Sequence, residues 1–283
     1  MPDLLVRPHD PDAEGCVLRV TPASAGWSHV GFAVHRLSSG ATASGGETGR
    51  EACLVMVSGR ARIRAGSVDF GLVGGRASPF EGPPDSVHVP AGLPWRVEAE
   101  GAAEVAVCTA PGMDGSRAPR AIPAAEVALS TRGTGTNLRH VRDILPETRE
   151  ADGLLVVEVV TPGGHWSSYP PHKHDRDLFP QETRLEETYY HRLHPPQGFA
   201  LQRVYTDDRA IDAALVVEDG CVVLVPRGHH PVAAAHGYDL WYLNVMAGPV
   251  RRWRVQPDHA HAWLLDEARD RSGRTEEQAV PTA

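Results

Sequence analysis

The amino-acid sequence predicts an all-β chain of two β-barrel domains with few short helices. Short runs rich in Val, Leu and Ile recur along the chain, for example Cys53–Val57, Leu154–Val160 and Cys221–Val225. Gly, Pro, Asp and Asn separate these runs, which is the pattern of short strands joined by turns. Helical stretches of about 10–15 residues between strands, which a doubly wound sheet needs, are missing. Helices are expected only near Pro123–Leu129 and Ala260–Asp270.

The length and one Gly- and Pro-rich segment predict the domain organisation. The chain has 283 residues, which suits two domains of about 100–150 residues each. The segment Ala110–Ala125 (APGMDGSRAPRAIPAA) has the composition of a linker. We expect the following division: a first barrel over residues 1–115, a linker and connecting segment over 116–150, a second barrel over 151–270, and a solvated tail over 271–283.

Composition and charge exclude several classes of function. The formal net charge is -8, so the chain lacks the basic surface that binds nucleic acid. No apolar run approaches the roughly 20 residues that cross a bilayer. Because MPDLLVRPHDPD lacks a charged region followed by an apolar one, no signal peptide is expected. The four cysteines are far apart and form no CxxC pair, which fits a reducing cytoplasm. We expect a cytoplasmic protein that acts on a small molecule.

Both halves carry a P-x-G turn at the end of an apolar strand. In the first half it is Pro90-Ala91-Gly92, and in the second half Gly220 precedes CVVLV and Pro226-Arg227-Gly228. This pattern resembles the cupin jelly roll, in which G-x5-P-x-G is closely followed by a metal-binding His. The second half offers His229 and His230 after the turn, whereas the first half has Trp95. The resemblance implies an N-terminal cupin-like barrel without metal ligands and a C-terminal metal-binding cupin.

Histidines concentrate in the second half, where ten of the 15 lie between His165 and His261. Residues two apart on a strand point to the same face, so His172 and His174 would direct both imidazoles into one barrel interior. Two imidazoles held in this way are a ready pair of metal ligands. Lys173 lies between them and is expected to point the other way.

A carboxylate and a later histidine complete the predicted metal site. Glu186 and Glu187 begin a strand-like run, and Glu187 fits the E-x-Y spacing better. After the turn, His230 is preferred over His229. Three imidazoles and one carboxylate leave coordination positions for a substrate, so the ion could act as a Lewis acid. Zn²⁺ or Mn²⁺ is expected, and Fe²⁺ and Co²⁺ suit the same donors.

Longer segments carry a resemblance to a known family. They are RVTPASAGWSHVGFAVHRL, GREACLVMVSGRARI and RGTGTNLRHVRDILP in the first 150 residues, then TPGGHWSSYPPHKHD, LEETYYHRLHPPQGFALQRVYTDDR and VVLVPRGHHPVAAAHGYDLWYLNVMAGPVRRW. The chain resembles the 5-deoxy-glucuronate isomerase family of myo-inositol catabolism, a two-cupin family related to 5-dehydro-4-deoxyglucuronate isomerase of pectin breakdown. The resemblance places the metal ligands on His172, His174, Glu187 and His230.

The resemblance also implies a reaction. The family converts 5-deoxy-D-glucuronate to 5-dehydro-2-deoxy-D-gluconate, an aldose–ketose isomerisation. Such a reaction moves a proton between adjacent carbons through an enediol, so it needs a base and stabilisation of a developing oxyanion. A divalent metal is expected to supply that stabilisation.

The residues that move the proton and hold the substrate are less defined by the sequence. Candidates for the base are Glu186, Asp175 and a barrel-facing tyrosine, either Tyr189, Tyr205 or Tyr242. A metal-bound hydroxide is a further candidate. Arginine binds carboxylates through two parallel hydrogen bonds, so Arg203 and Arg209 are candidates for the substrate carboxylate. Tyr205 and Tyr242 are further substrate-binding candidates.

Two other functions compete with the isomerase. A site of three His and one Glu also occurs in Fe(II) cupin dioxygenases, and a non-catalytic cupin could bind sugar acids without turnover. Uptake of O₂ would support the dioxygenase, and binding without turnover would support the binding protein. Exposed edge strands make a homo-oligomer the expected assembly. The sequence leaves open the metal, the base, the stoichiometry and the role of the first barrel.

Overall fold

The computed structural model describes residues 3–115 and 117–265 of the chain. The expected solvated tail, 271–283, and residues 266–270 of the expected second helix lie outside this part. The α-helix Pro22–Ala25 lies in the first half. Short 3-10 helices cover Pro79–Glu81, Ala124–Glu126, Gly135–Asn137 and His259–His261.

Strands make up most of the ordered structure. The first half contains β1 (Leu5–Val6), β2 (Cys16–Val20), β3 (Gly31–Leu37), β4 (Thr42–Gly45), β5 (Arg50–Ser58), β6 (Arg60–Ala65), β7 (Val68–Gly74), β8 (Ser86–Val89), β9 (Trp95–Ala99), β10 (Ala103–Pro111) and β11 (Arg120–Ile122). The second half contains β12 (Ala128–Arg132), β13 (Arg139–Leu145), β14 (Leu155–Thr161), β15 (Trp166–Ser167), β16 (His172–Lys173), β17 (Glu186–His194), β18 (Phe199–Tyr205), β19 (Asp212–Glu218), β20 (Val222–Val225), β21 (Val232–Ala234), β22 (Asp239–Ala247) and β23 (Gln256–Pro257).

The first barrel packs two antiparallel sheets against each other. The larger sheet has the order β11-β8-β5-β10-β3-β2 and the smaller has the order β4-β9-β6-β7. In β6, Ala61, Ile63 and Ala65 are buried while the arginines between them are exposed. This alternation places one face of the strand on the barrel core, where Leu54 of the larger sheet also lies. Apolar side chains of the two sheets therefore pack against each other inside this barrel.

The second barrel is built around a seven-stranded sheet with the order β1-β20-β17-β22-β14-β13-β12. The four-stranded sheet β15-β21-β18-β19 and the pair β16-β23 complete it. Strand β17 lies between β20 and β22, and Glu187 pairs with Val225 and with Met246. This central strand carries the carboxylate of the predicted metal site. The expectation of an all-β, two-barrel chain is confirmed.

The boundary between the barrels differs from the predicted linker over 116–150. Strand β11 pairs with β8 of the first barrel, whereas β12 and β13 pair with each other and with β14 of the second. Ile122, Val141 and Ile144 are buried, so apolar positions within a segment of linker-like composition form strands. The helix expected near Pro123–Leu129 is reduced to the 3-10 turn at Ala124–Glu126.

The two large sheets pack face to face and form one continuous core. Phe32 of the first barrel contacts Tyr190 of the second with ring centroids 5.6 Å apart. Strand β5 is buried on both faces because it lies between its own barrel interior and the second barrel. Strand β1 also pairs with β20, so the start of the described chain belongs to the second barrel's sheet.

Buried charges reinforce the junction of the barrels. The guanidinium of Arg76, from the first barrel, donates to both oxygens of the fully buried Glu158 on β14, at 2.8 and 3.0 Å. Arg142 on β13 donates to the same carboxylate at 2.7 Å. Because a buried carboxylate needs such partners, these three residues fix the orientation of one barrel on the other.

Cys16, Cys53, Cys108 and Cys221 are buried free thiols. None of the helices within residues 3–115 and 117–265 has the length and apolar character to cross a membrane.

Candidate metal centre

Three of the predicted ligands converge inside the second barrel. His174, Glu187 and His230 place one ligand atom each within 4.8 Å of one another, and all three are buried. His174 Nε2 lies 3.1 Å from Glu187 Oε2, and His230 Nε2 lies 3.2 Å from the same oxygen. Donors of this type at this separation suit a first-row divalent metal.

Local structure aims both imidazoles at the carboxylate. His174 Nδ1 donates to the carbonyl of Leu185 at 3.1 Å, and His230 Nδ1 donates to the carbonyl of Gly228 at 2.9 Å. In each ring the Nε2 atom is then directed to the centre, as in many metal sites where a backbone carbonyl fixes the other nitrogen.

The P-x-G turn brings His230 to this place. Gly228 has φ 93°, in the left-handed region that favours glycine, and a Cβ there would lie 2.4 Å from the carbonyl oxygen of Tyr205. A larger residue would push the turn off β18 and move His230.

An imidazole nitrogen of His230 without a hydrogen-bond partner and the lowered pKa of Glu187 both fit a cation at the centre. Although Nε2 of His230 lies 3.2 Å from Glu187, it makes no hydrogen bond and is buried. Burial opposes ionisation of Glu187, yet the charge of His230 and the hydrogen bond from His174 lower its pKa to about 2. The cluster thus combines an ionised carboxylate with an imidazole nitrogen that lacks a partner, which is what a metal ion requires.

His172 lies beside the cluster. Its ring centroid is 5.1 Å from that of His230 and 6.5 Å from that of His174. Burial, together with the charges of the two neighbouring imidazoles, lowers the pKa of His172 to about 3, so its ring is neutral. Its ligand atoms lie outside the 4.8 Å group that the other three side chains form.

A cavity of about 460 Å³ adjoins His172. Arg139, Tyr169 and Trp253 also line it. Arg139 is a residue that the sequence analysis did not single out, although it stands in the segment RGTGTNLRHVRDILP. A basic residue at the start of a strand carries no signal by itself, so only its placement beside His172 marks it.

Two tyrosines lie on the same interior face as Glu187. Tyr189 and Tyr242 have ring centroids 4.9 Å apart, and Tyr189 lies 5.7 Å from the ring of His230. Ser168 Oγ lies 2.7 Å from the hydroxyl of Tyr189, and Ser167 Oγ hydrogen-bonds the hydroxyl of Tyr242. Burial raises the pKa of both tyrosines, so both hydroxyls carry their protons.

Glu186 does not belong to this site, and the prediction that it acts as the base is corrected. Adjacent residues of a strand face opposite sides, so Glu186 points away from Glu187. Its carboxylate accepts hydrogen bonds from the backbone N–H groups of Ser28, His29 and Val30, at 2.7–3.0 Å. Its role is to hold a loop of the first barrel on β17.

The substitution Glu186→Gln is expected to destabilise the junction without affecting the metal. The amide keeps one acceptor and places an NH₂ group against backbone donors, which costs roughly 1–3 kcal/mol. Chemical denaturation should show this loss in the free energy of unfolding. Metal content should equal that of the wild type, and loss of metal from this variant would contradict the assignment.

Asp175, predicted as a catalytic residue, is engaged in contacts that hold the structure of the turn. Its Oδ2 accepts from the backbone N–H of Gly228 at 3.0 Å, and its Oδ1 lies 3.3 Å from Nζ of Lys173. Asp175 therefore fixes the turn that positions His230. Lys173 points away from the imidazoles, as the strand alternation predicts, and pairs with Asp207 at 2.5 Å.

Arg203, Tyr205 and Arg209 form a cluster of their own away from Glu187, so the structure does not bring these predicted substrate-binding residues to the metal cluster. On β18 the alternation turns Gln202 inward and Arg203 outward, where Arg203 forms a two-pronged pair with Asp212 at 2.8 Å. Both guanidinium groups stack on the ring of Tyr205, each 4.4 Å from its centroid.

Tyr205 and His229 belong to the same outer cluster. The hydroxyl of Tyr205 donates to Asp258 at 2.7 Å, and its ring stacks on His229. His229 Nε2 bonds Asp207 at 3.0 Å. The geometry thus favours His230 over His229 as a ligand, because His229 is directed away from Glu187.

Comparisons of sequence with known proteins give one consistent family. The model of the KduI/IolB family matches residues 4–264. A protein named 5-deoxy-glucuronate isomerase from Geobacillus kaustophilus is 52% identical over 267 residues, which cover 94% of this chain and 96% of that protein. A protein of the same name from Bacillus subtilis strain 168 is 44% identical over 252 residues, covering 88% of this chain and 93% of its own.

Comparisons of structure agree. The crystal structure of an IolB-like protein from Salmonella typhimurium has a TM-score of 0.89 and 48% identity, and covers 93% of this chain and 99% of its own. An oxalate decarboxylase from Lactobacillus farciminis has a TM-score of 0.64 at 14% identity, covering 93% of this chain and 90% of its own. The second similarity concerns the fold alone, which is the two-cupin fold.

Proposed function

The chain belongs to the KduI/IolB family, and from this premise we propose that it is a metal-dependent isomerase converting 5-deoxy-D-glucuronate to 5-dehydro-2-deoxy-D-gluconate. Relatives that carry the name 5-deoxy-glucuronate isomerase support the reaction. The observation that carries the metal dependence is the convergence of His174, Glu187 and His230. Their neighbour His172 lines a cavity large enough for a sugar acid.

The reaction requires a proton to leave carbon 2 of the aldose and a proton to arrive at carbon 1. Negative charge develops on the two neighbouring oxygens in the enediol stage, and stabilising that charge lowers the barrier. A divalent ion held by His172, His174, Glu187 and His230 would supply this stabilisation as a Lewis acid. Zn²⁺ or Mn²⁺ is the expected metal, with Fe²⁺ and Co²⁺ as alternatives.

Tyr189 and Tyr242 are the proposed proton donors to the sugar oxygens. Both hydroxyls lie on the interior face that carries Glu187, and their raised pKa values keep them protonated. A protonated hydroxyl donates a hydrogen bond to an oxygen that gains negative charge, which is worth most where water is excluded. Ser167 and Ser168 hold the two hydroxyls in position.

The substitution Tyr189→Phe is expected to lower kcat about 100-fold while the metal remains bound. The change removes one hydroxyl and keeps the ring that packs against Tyr242 and His230. Steady-state kinetics on metal-loaded protein measures the effect. Tyr205→Phe is the matched control, since that hydroxyl donates to Asp258 away from Glu187, and it should leave kcat near wild type. Equal effects of the two substitutions would remove Tyr189 from the mechanism.

A proton NMR time course in deuterated buffer tests the function. The metal-loaded protein is mixed with 5-deoxy-D-glucuronate, and conversion to the ketose is the expected result. Deuterium in the newly formed hydroxymethyl group would show exchange with solvent through an enediol. The absence of conversion by protein with verified metal would overturn the proposal, and O₂ uptake would then distinguish the dioxygenase from a non-catalytic sugar-acid-binding cupin. Gel filtration tests the predicted homo-oligomer.

A further inference from the structure

Arg139 lines the cavity beside His172, and no acidic residue within 3–115 and 117–265 pairs with it. Its Nη1 donates to the backbone carbonyl of Asn137 at 3.0 Å. Among the residues described, no carboxylate lies within 4.0 Å of its guanidinium. Burial lowers the pKa of Arg139. Its side chain lines the same cavity as His172, so the guanidinium lies where a ligand of that cavity would bind.

Other arginines of the chain have partners that Arg139 does not have among the described residues. Arg203 on the outer surface pairs with Asp212 at 2.8 Å, and Arg132, which lines the same cavity, lies 3.7 Å from Asp143. Arg251 also has no carboxylate partner in the described part of the chain, but its guanidinium donates to the backbone carbonyls of Leu154, Glu147 and Pro146. Among the same residues the guanidinium of Arg139 donates to one backbone carbonyl, so further N–H groups are available to a ligand.

We propose that Arg139 binds the carboxylate of the sugar acid and so positions the chain of carbons with its reactive end at the metal cluster. A guanidinium presents two parallel N–H groups that match a carboxylate, and a partly desolvated cation gains most from such a partner. The proposal rests on the proposed function. It assigns to Arg139 the role that the sequence predicts for Arg203 and Arg209.

This assignment makes the charge of the substrate a determinant of specificity. A sugar of the same length without a carboxylate would leave the cation of Arg139 unpaired in the cavity, which disfavours its binding. Removal of the guanidinium should therefore weaken binding of the acid and leave binding of a neutral sugar unchanged. A purely structural arginine would affect both ligands alike.

The first test compares Arg139→Gln, Arg139→Lys and the control Arg203→Gln in the metal-loaded enzyme. For Arg139→Gln, the KM for 5-deoxy-D-glucuronate should rise at least about 30-fold with kcat changed less than about threefold. Arg139→Lys should recover part of the loss, because the ammonium keeps the charge but not the fork. Arg203→Gln should behave as wild type. A loss confined to kcat, loss of metal, or an equal effect of Arg203→Gln would overturn the assignment.

The second test does not depend on turnover. Saturation-transfer NMR measures binding of D-glucuronate and of D-glucose to the metal-loaded wild type and to Arg139→Gln. The wild type should prefer D-glucuronate, and the variant should lose that preference while D-glucose binding stays constant. If the wild type prefers D-glucuronate but fails to isomerise, the role of Arg139 in carboxylate binding is retained and the proposed reaction is wrong. If Arg139→Gln still prefers D-glucuronate, the role of Arg139 in carboxylate binding is wrong.

Discussion

Glu187→Gln is expected to lose the divalent metal and to reduce kcat/KM by at least about 1000-fold. Glu187 is the shared neighbour of His174 and His230, and both Nε2 atoms lie within 3.2 Å of its Oε2. An amide has nearly the same shape but no charge, so it cannot balance a divalent ion in a buried site. Elemental analysis of the purified variant and the NMR time course measure the two losses.

Glu186→Gln is the control for this experiment because the two residues are neighbours on one strand and face opposite sides. Both variants lose one carboxylate charge, but only the inward one should lose metal. Removing the metal from the wild type with a chelator should abolish activity, and adding Zn²⁺ or Mn²⁺ back should restore it. Full activity and metal content in Glu187→Gln would refute the site.

Glu158→Ala is expected to lower the free energy of unfolding by roughly 3–5 kcal/mol. Glu158 is fully buried and neutralises two arginines, Arg76 from the first barrel and Arg142 from the second. Its removal leaves both guanidinium groups without a counter-charge in the interface. Chemical denaturation and calorimetry measure the effect.

The exposed pair of Arg203 and Asp212 provides the comparison. Asp212→Ala breaks a pair of similar geometry whose side chains are 45% and 37% exposed, so the loss should be at most about 1 kcal/mol. Equal losses in the two variants would show that burial does not amplify the interaction at Glu158. A calorimetric trace of Glu158→Ala that separates into two transitions would locate the damage at the junction of the barrels.

Features that follow from local periodicity could be predicted from the sequence. The alternation of β6 and the spacing of His172 and His174 depend on the two-residue repeat of a strand, which neighbouring residues determine. The G-x5-P-x-G turn needs glycine for its backbone conformation, so Gly228 marks the turn in the sequence and predicts where His230 lies. These local rules, together with the resemblance to the cupin pattern, predicted the two barrels and three side chains that converge in the structure.

Features that depend on distant partners could not be predicted in this way. Glu186 looks equivalent to Glu187 in the sequence, and its contacts with residues 28–30 of the first barrel become visible only in the fold. Arg203 and Arg139 likewise differ in their surroundings. Asp212 neutralises Arg203, whereas no described carboxylate neutralises Arg139. The strands within residues 116–150 were not predicted. The linker-like composition of this part of the chain hid the few apolar residues that are buried in the fold.

Lys173 is the single lysine of the chain, and the remaining basic residues counted with it are arginines. Its Nζ is buried between Asp175 and Asp207, with the side chain 5% exposed. Enzymes that acetylate lysine neutralise ammonium groups, whereas guanidinium groups keep their charge. The folded protein therefore offers enzymes that acetylate lysine side chains a single target, and that target is shielded from solvent.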